Sequence, residues 1–508
     1  MDLERFSDHF VYLHGQRLGN HQRPYLKKIF AALMFARRTI ICSGRQVEKS
    51  TLIIKFLAYR AWLHAPSTCL LILPRQQQLY RLIRSRFEPI INDSPLLRKC
   101  LVVREPKSMK HITFENGSEL VSDSAFHSSD AARGLSTNTL AVDEFQDCAP
   151  DALAILEETQ SHQRSPRTLL TGTAKLSDNQ LEKAYWNATA NCWKTSCIRC
   201  GFQQQADAEI IADDGYRCRN CKEPIDPRIG DWVPQNPGST FGESFRLPQI
   251  ITPWTEFQHV REKKLLYSFP QFRNEVLGES VCQGDLQLSL DDLSGCCTAR
   301  PLFHAYTELP RELIHQFIIA GIDWGNTAHA TTAVTVGVLD ANLVFHVLHF
   351  SRLQPGKNPD EVLGFVMGII RNFRVNVVSV DAQGNGSVFK MLLFDKLQTD
   401  TISFGVNYTN ELGFSIQKET PARYVLNVGK VFAVSNVVYG VKAKRIQFPR
   451  RAECASFLVE IASERCVPVE DGRGFRYEKS PGVPDDILHS LVYALSAATH
   501  LQQGRPYF

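Results

Sequence analysis

Thr39-Ile40-Ile41-Cys42-Ser43-Gly44-Arg45-Gln46-Val47-Glu48-Lys49-Ser50-Thr51 is the stretch that decides the fold. A β-branched apolar run ends in a short loop, and Lys-Ser-Thr opens the helix predicted over Ser50–His64. A strand, a tight loop and Lys-Ser/Thr at a helix start make a phosphate site. Backbone N–H groups and the helix N-terminus cradle the anion, Lys49 reaches the outer phosphates of ATP, and Ser50 holds Mg²⁺. The usual G-x4-G-K-[ST] spacing is broken, because Ser43 and Glu48 stand where glycine is expected. Taken by itself, the motif competes with an incidental loop. Glu48 also has a physical cost. A carboxylate about 5 Å from a phosphate charge is repelled by roughly 3 kcal/mol at an effective dielectric near 20, and a positive φ at a non-glycine residue adds about 1–2 kcal/mol. Either Glu48 points away, toward Arg45, or the site binds ATP weakly.

Downstream, Asn138–Asp147 reads NTLAVDEFQD, an apolar strand ending in Asp143-Glu144. The first carboxylate suits Mg²⁺ held through water, and the second suits orienting and activating the water that attacks the γ-phosphate. A surface turn is the bland alternative. A further strand ends in Thr171-Gly172-Thr173, a position that couples the γ-phosphate to movement in helicase-like motors. The first 180 residues alternate strands (Thr39–Ser43, Cys69–Leu73, Thr139–Val142, Thr168–Thr171) with helices, the pattern of an α/β domain on a largely parallel sheet.

The composition is globular: 508 residues, 44% hydrophobic and 22% charged, enough for two to four domains. No apolar run nears the ~18 residues of a membrane span, and the N-terminus lacks the pattern of a secretory signal. The chain reads as soluble and cytoplasmic. Net charge is +4, yet basic residues cluster at Arg75, Arg81, Arg84, Arg86, Arg98, Lys99, Arg104, Lys107 and Lys110, and again at Lys442, Lys444, Arg445, Arg450 and Arg451. Such runs suit a phosphate backbone or an ordinary solvated face.

Cys197-x2-Cys200 and Cys218-x2-Cys221, 17 residues apart, supply four thiolates for a structural Zn²⁺, with four unrelated buried thiols as the alternative. Cys192 falls outside the pattern. A second α/β unit begins near Phe317, with strands Phe317–Asp323, Thr332–Leu339 and Leu343–Phe350, a helix Pro359–Phe373, a strand Val375–Val380 and a last helix Asp486–His500. Asp323 and Asp381 end strands, and Asp485-Asp486 open the last helix. Singly each acid suits a cap or turn; together they suit two Mg²⁺ or Mn²⁺ ions about 4 Å apart for phosphodiester cleavage. His489 either faces that site or packs.

Arg45-Gln46-x-x-Lys49-Ser50-Thr51, Asp143-Glu144 and Thr171-Gly172-Thr173 resemble the motor domain of tailed-phage terminase large subunits. The resemblance extends to the cysteine segment, like the zinc-ribbon insertion of some members, and to the order of acids in the second unit, like their RNase H-like nuclease domain. It implies an α/β P-loop NTPase of the helicase-like (ASCE) kind, a zinc ribbon and an RNase H-like nuclease. Arg45 and Gln46 then join Lys49, Ser50, Thr51 and Asp143 at the nucleotide, Glu144 is catalytic, and Arg133 is an arginine finger acting across a subunit interface, unless it faces DNA or solvent. Asp323, Asp381 and one or both of Asp485 and Asp486 become nuclease metal ligands. Arg23-Pro24-Tyr25 resembles the adenine-contacting segment, although the family's following Gln is Leu26 here.

The expected domains are a motor at 1–185, a zinc ribbon at 186–235, a linker or subdomain of unclear role at 236–312 and a nuclease at 313–508. The implied function is ATP-driven translocation of double-stranded DNA into procapsids with metal-dependent cutting of concatemers. The implied partners are DNA, a small terminase subunit and the portal, with a homo-oligomeric ring during packaging and a monomer as the alternative in solution. The implied location is the host cytoplasm, with no membrane contact. The alternative is an RNase H-like transposase or recombinase nuclease with a degenerate ATPase domain; a non-enzymatic assembly protein and a repair helicase fit the motifs less well.

Overall fold

The computed structural model describes residues 1–101, 110–124, 134–267, 269–314, 316–325, 331–409, 414–469 and 475–502. The chain divides into two compact units, residues 1–265 with 271–282, and residues 266–270 with 283–508. Among the described residues no helix is long and apolar enough to cross a membrane.

In the first unit a ten-stranded sheet runs in the order Gln203–Gln205, Asn191–Ser196, Glu243–Leu247, Arg38–Ser43, Arg167–Thr173, Thr139–Val142, Thr68–Leu73, Glu119–Ser124, His111–Thr113, with Asp231–Pro234 pairing beside Asn191–Ser196. The six strands from Glu243–Leu247 to Glu119–Ser124 pair in parallel. Parallel strands are covered on both faces and therefore read as unbroken apolar runs. Ile40, Ile41 and Cys42, Leu70 and Leu71, and Leu140, Ala141 and Val142 are all fully or almost fully buried. The chain leaves Arg38–Ser43, skips two positions, and fills them later with Thr139–Val142 and Arg167–Thr173. The acidic strand therefore lies one strand away from the phosphate-loop strand, with the Thr-Gly-Thr strand between them. This is the helicase-like P-loop arrangement, and its strand ends form the crevice where ligands bind in such sheets.

The domain boundaries differ from those read in the sequence. Asn191–Ser196 and Asp231–Pro234, assigned to a separate zinc ribbon, and Glu243–Leu247, assigned to a linker, are all strands of the first unit's ten-stranded sheet. Glu243–Leu247 lies directly against Arg38–Ser43. Its short mixed sequence, ESFRL, carries no periodic signal. What fixes it is tertiary: Arg246, buried, pairs with Glu182 through Nη2 and Oε1 at 2.6 Å, donates from Nη1 to the carbonyl of Gly278 at 2.6 Å, and stacks on Tyr185 with its Cζ 4.1 Å from the ring centroid.

The second unit holds an eight-stranded sheet in the order Phe414–Thr420, Arg423–Gly429, Ile402–Thr409, Val377–Asp381, Ile318–Asp323, Thr332–Leu339, Phe345–Leu353, Ile446–Gln447. Ile318–Asp323, Thr332–Leu339 and Phe345–Leu353 form an antiparallel meander. Val377–Asp381 and Ile402–Thr409 then add in parallel on the other side of the first strand. This is the RNase H-like order. The helix Asp486–Gln502 lies on the first strand so closely that a Cβ at Gly321 would meet the Ser490 carbonyl oxygen at 2.0 Å. Only glycine fits there, and this contact brings the helix start to the strand's acidic end.

Candidate functional site

At the parallel strand ends of the first unit, Lys49 extends from the start of the helix Lys49–Leu63. Its Nζ lies 2.5 Å from Glu144 Oε1 and 3.1 Å from Thr173 Oγ1, and 3.9 Å from Asp143 Oδ1. Ser50 Oγ donates to Asp143 Oδ2 at 3.3 Å, and Thr171 Oγ1 donates to Asp143 Oδ1 at 2.6 Å. The phosphate loop, the acidic pair and the Thr-Gly-Thr segment thus meet in one place. Burial disfavours the Lys49 cation, but Asp143 and Glu144 outweigh it and raise its pKa. For the two acids the balance splits: burial raises Asp143, whereas for Glu144 the ammonium of Lys49 overcomes burial and the pKa falls. Glu144 is thereby held ionised, as a water-activating carboxylate must be.

Three non-glycine residues here adopt left-handed backbone: Gln46 (φ 56°), Glu48 (φ 64°) and Glu144 (φ 51°). Each costs of order 1 kcal/mol or more, and such strain collects at functional sites. The loop is braced from a part of the sequence in which no motif is legible. Gly44 N–H donates to the Leu247 carbonyl at 3.0 Å, Arg45 N–H to that of Glu275 at 2.7 Å, and Gln249 Nε2 to that of Arg45 at 2.6 Å. A Cβ on Gly44 would lie 2.8 Å from the carbonyl oxygens of Glu275 and Val276.

Two sequence expectations need correction. Glu48 turns away from the lysine, but its partner is Arg23, at 2.9 Å, and not Arg45, which lies 3.6 Å from Glu275 instead. Tyr25 is fully buried, so its ring is closed to a base as it stands. Arg133, with Arg104 and Lys107 of the first basic run, lies outside the described residues. Arg81, Arg84, Arg98 and Lys99 are exposed, as are Lys444, Arg445, Arg450 and Arg451. Sequence reasoning missed Gln146, whose Nε2 donates to Glu144 Oε2 at 2.6 Å. It packs where a side chain on Gly172 would stand, the ideal Cβ lying 1.9 Å from Gln146 Oε1.

In the second unit Asp323 and Asp381 end paired parallel strands, with Ile322 opposite Val380. Asp323 is pushed up to about 8, first by burial and then by the charges of Asp486, Asp381 and Asp485, with His489 opposing. Asp381 is raised mainly by burial. Asp485 moves the other way: His489 and Lys479 overcome its burial and hold it well below the usual range. Asp486 accepts a hydrogen bond from Thr331 Oγ1. Asp323, Asp381 and Asp485 do not close into one coordination sphere. Among the described residues, the compact metal-type groups are the four cysteines and the trio Glu464, Asp485 and His489, each with ligand atoms within 4.8 Å of one another. Glu464, on the strand Glu464–Pro468, was not legible: it is one of several acids in an unpatterned hairpin. It is almost fully buried, 2.7 Å from Lys430 Nζ and 3.7 Å from His489 Nε2. His489 Nδ1 in turn meets Tyr408 Oη at 2.8 Å, so this histidine faces the acids. Four carboxylates, Asp323, Asp381, Asp485 and Glu464, act on one buried histidine, with Lys430 and Lys479 paired to two of them, a donor set that suits hard divalent cations.

The cysteines also fit their metal. Cys197 Sγ lies 3.6 Å from Cys221 Sγ, and Cys200 Sγ 3.7 Å from Cys218 Sγ. Four sulfurs at about 2.3 Å from a tetrahedral Zn²⁺ stand about 3.8 Å apart. The residue after each second cysteine, Gly201 (φ 69°) and Lys222 (φ 61°), takes the left-handed turn that closes its knuckle. Gly201 N–H donates to the Cys197 carbonyl at 2.9 Å and Lys222 N–H to that of Cys218 at 3.0 Å.

Residues 16–232 match the family model described as "Phage terminase large subunit gpA, ATPase domain". No curated protein matches the chain. Among solved structures, it is similar to the HK97 bacteriophage large terminase (14% identity, 98% of this chain and 99% of that one, TM-score 0.38). It is also similar to the large terminase of a thermophilic bacteriophage (11%, 96% and 98%, TM-score 0.37). A third likeness is to the large terminase nuclease of thermophilic phage G20c with bound magnesium (16%, 41% and 96%, TM-score 0.30). These likenesses are distant.

Proposed function

We propose that this chain, whose residues 16–232 match the ATPase-domain model of phage terminase large subunits, is a member of that family and a DNA-packaging motor with its own nuclease. ATP hydrolysis in the first unit drives double-stranded DNA into a procapsid, and the second unit cuts the concatemer. The observation that carries the reading is Lys49 Nζ within reach of both Glu144 and Thr173, with Ser50 on Asp143. The lysine, the two acids and the hydroxyls of Ser50, Thr171 and Thr173 meet at the ends of adjacent central strands.

In this reading Lys49 exchanges Glu144 for the β- and γ-phosphates when ATP enters. Glu144, kept ionised and aimed by Gln146, then takes the proton of the attacking water. Ser50 and Asp143 hold the Mg²⁺, which supplies charge neutralisation on the phosphates when bound. Thr173, touching the same lysine, senses the γ-phosphate and passes its loss to the strand behind it. Arg45, Gln46 and Thr51 line the nucleotide, and Arg133 reaches a neighbour's γ-phosphate in a ring of subunits seated on a portal. A small terminase subunit supplies DNA selection, and the exposed basic runs track the duplex.

For the nuclease, Asp323, Asp381, Asp485 and Asp486 hold divalent Mg²⁺ or Mn²⁺, and Glu464 and His489 join Asp485 on one side. Divalent ions held there would supply polarisation of the scissile phosphate, while Lys479 and Lys430 balance the charge of Asp485 and Glu464. The four cysteines hold a structural Zn²⁺. The experiment is ATP turnover with and without linear duplex DNA, beside Glu144→Gln. Turnover that falls at least 100-fold in the variant supports the motor. Equal turnover in both, with portal-bearing capsids present, favours the recombinase-type nuclease with a degenerate ATPase domain.

A further inference from the structure

Glu48 occupies the position before Lys49 in a backbone conformation (φ 64°) that favours glycine. A carboxylate there threatens the phosphate site. Its side chain is turned out of the loop and four-fifths buried, with Oε1 accepting from Arg23 Nη2 at 2.9 Å. Arg23 is anchored in turn: its Nη1 donates to the Gly19 carbonyl, and its guanidinium lies 5.3 Å from the centroid of Trp254. Trp254 Nε1 donates to the Gln46 carbonyl at 3.1 Å, so the arginine is tied to the loop at two points. The other cation nearby, buried Lys55, directs its Nζ to the Leu18 carbonyl at 3.4 Å and to Asn20 Oδ1 at 3.2 Å.

We infer that Arg23 is a positioning residue of the phosphate loop, which holds the Glu48 carboxylate out of the phosphate site and neutralises it, so that a loop without its glycine binds nucleotide. Sequence resemblance gave this arginine a place beside adenine; the geometry gives it a different task. The inference rests on the nucleotide-site reading above. It also accounts for the survival of Glu48: arginine and glutamate form a matched pair, and either alone is harmful or idle.

The test is ADP binding to the full chain with Mg²⁺, followed with a fluorescent ADP analogue, for wild type, Arg23→Ala, Glu48→Gln and the double variant. Freeing one negative charge about 6 Å from the phosphates corresponds to affinity weakened on the order of 100-fold in Arg23→Ala. Glu48→Gln should bind as wild type or tighter, and the double variant should return to within about threefold of wild type. A double variant as weak as Arg23→Ala overturns the inference, because the arginine would then act by touching nucleotide or by propping the fold. Wild-type affinity in Arg23→Ala overturns it as well. Failure of the underlying reading looks different: wild type itself would bind no better than Lys49→Ala, and both proposals would fall.

Discussion

Arg246→Met isolates the contact that joins the strand Glu243–Leu247 to the rest of the first unit. Arg246 and Glu182 are 8% and 2% exposed as side chains, and the cation lies on the Tyr185 ring. The substitution keeps the aliphatic volume and strands a buried carboxylate. Breaking such a pair from one side costs about 3–5 kcal/mol. At about 2–4 °C per kcal/mol for a unit of this size, the melting temperature should fall by roughly 6–20 °C. Five of the six tryptophans (62, 186, 193, 232 and 254) belong to this unit, so thermal or urea unfolding followed by tryptophan fluorescence reads it selectively. Adding Glu182→Leu removes the orphaned charge and should restore stability to within about 1–2 kcal/mol of wild type. ATP turnover should fall in the single variant, because the same strand supplies the carbonyl of Leu247 to Gly44 N–H. A loss under about 1 kcal/mol in Arg246→Met, or a double variant no better than the single, would refute the reasoning.

Gly321→Ala drives a methyl group from the strand Ile318–Asp323 into the helix Asp486–Gln502. DNA cleavage should fall more than tenfold while ATP turnover of the same preparation stays within twofold, measured by plasmid nicking beside phosphate release. Glu464→Gln should weaken Mn²⁺ binding about tenfold by calorimetry if this acid joins Asp485 and His489; unchanged affinity would confine it to the Lys430 ion pair. Cys200→Ser, or chelation of the metal, should release about one zinc per chain and lower the first unit's melting temperature as well, since the cysteine segment adds strands to that sheet. Gly172→Ala should displace Gln146 from Glu144 and cut ATP turnover at least tenfold with nucleotide affinity kept, a split that steady-state kinetics resolves.

The parts legible in the sequence were those where one stretch carries its own signal. Ile40–Ile41–Cys42 ahead of Lys49, Leu140–Ala141–Val142 ahead of Asp143, and the two Cys-x2-Cys pairs each pair a local pattern with a local chemistry. The strands and helices named from the sequence fall within a few residues of the observed ones, but the strands Ile402–Thr409, Phe414–Thr420 and Arg423–Gly429 and the helices Lys430–Lys442 and Arg451–Ile461 were not read. What stayed hidden depends on distant partners. ESFRL becomes a central-sheet strand only because Arg246 finds Glu182, 64 residues away. Glu464 becomes a site residue only because its hairpin lies against Asp485 and His489. Glu48 was visible as a problem, and its remedy, Arg23, was invisible because 25 residues separate them.

The position of Glu243–Leu247 has a consequence for how the protein is made. The phosphate-loop strand Arg38–Ser43 has one neighbour in Arg167–Thr173 and the other in Glu243–Leu247. About 200 residues must follow it off the ribosome before its second edge can close, which at 5–20 residues per second is about 10–40 s. During that interval the phosphate-loop strand is an open, apolar β edge, the surface most prone to pairing with the wrong chain. The knuckles form inside the same window, so the cell's zinc supply enters as a kinetic factor: metal that arrives late leaves the nascent edge open longer, and aggregation during expression becomes a matter of timing as much as of final stability.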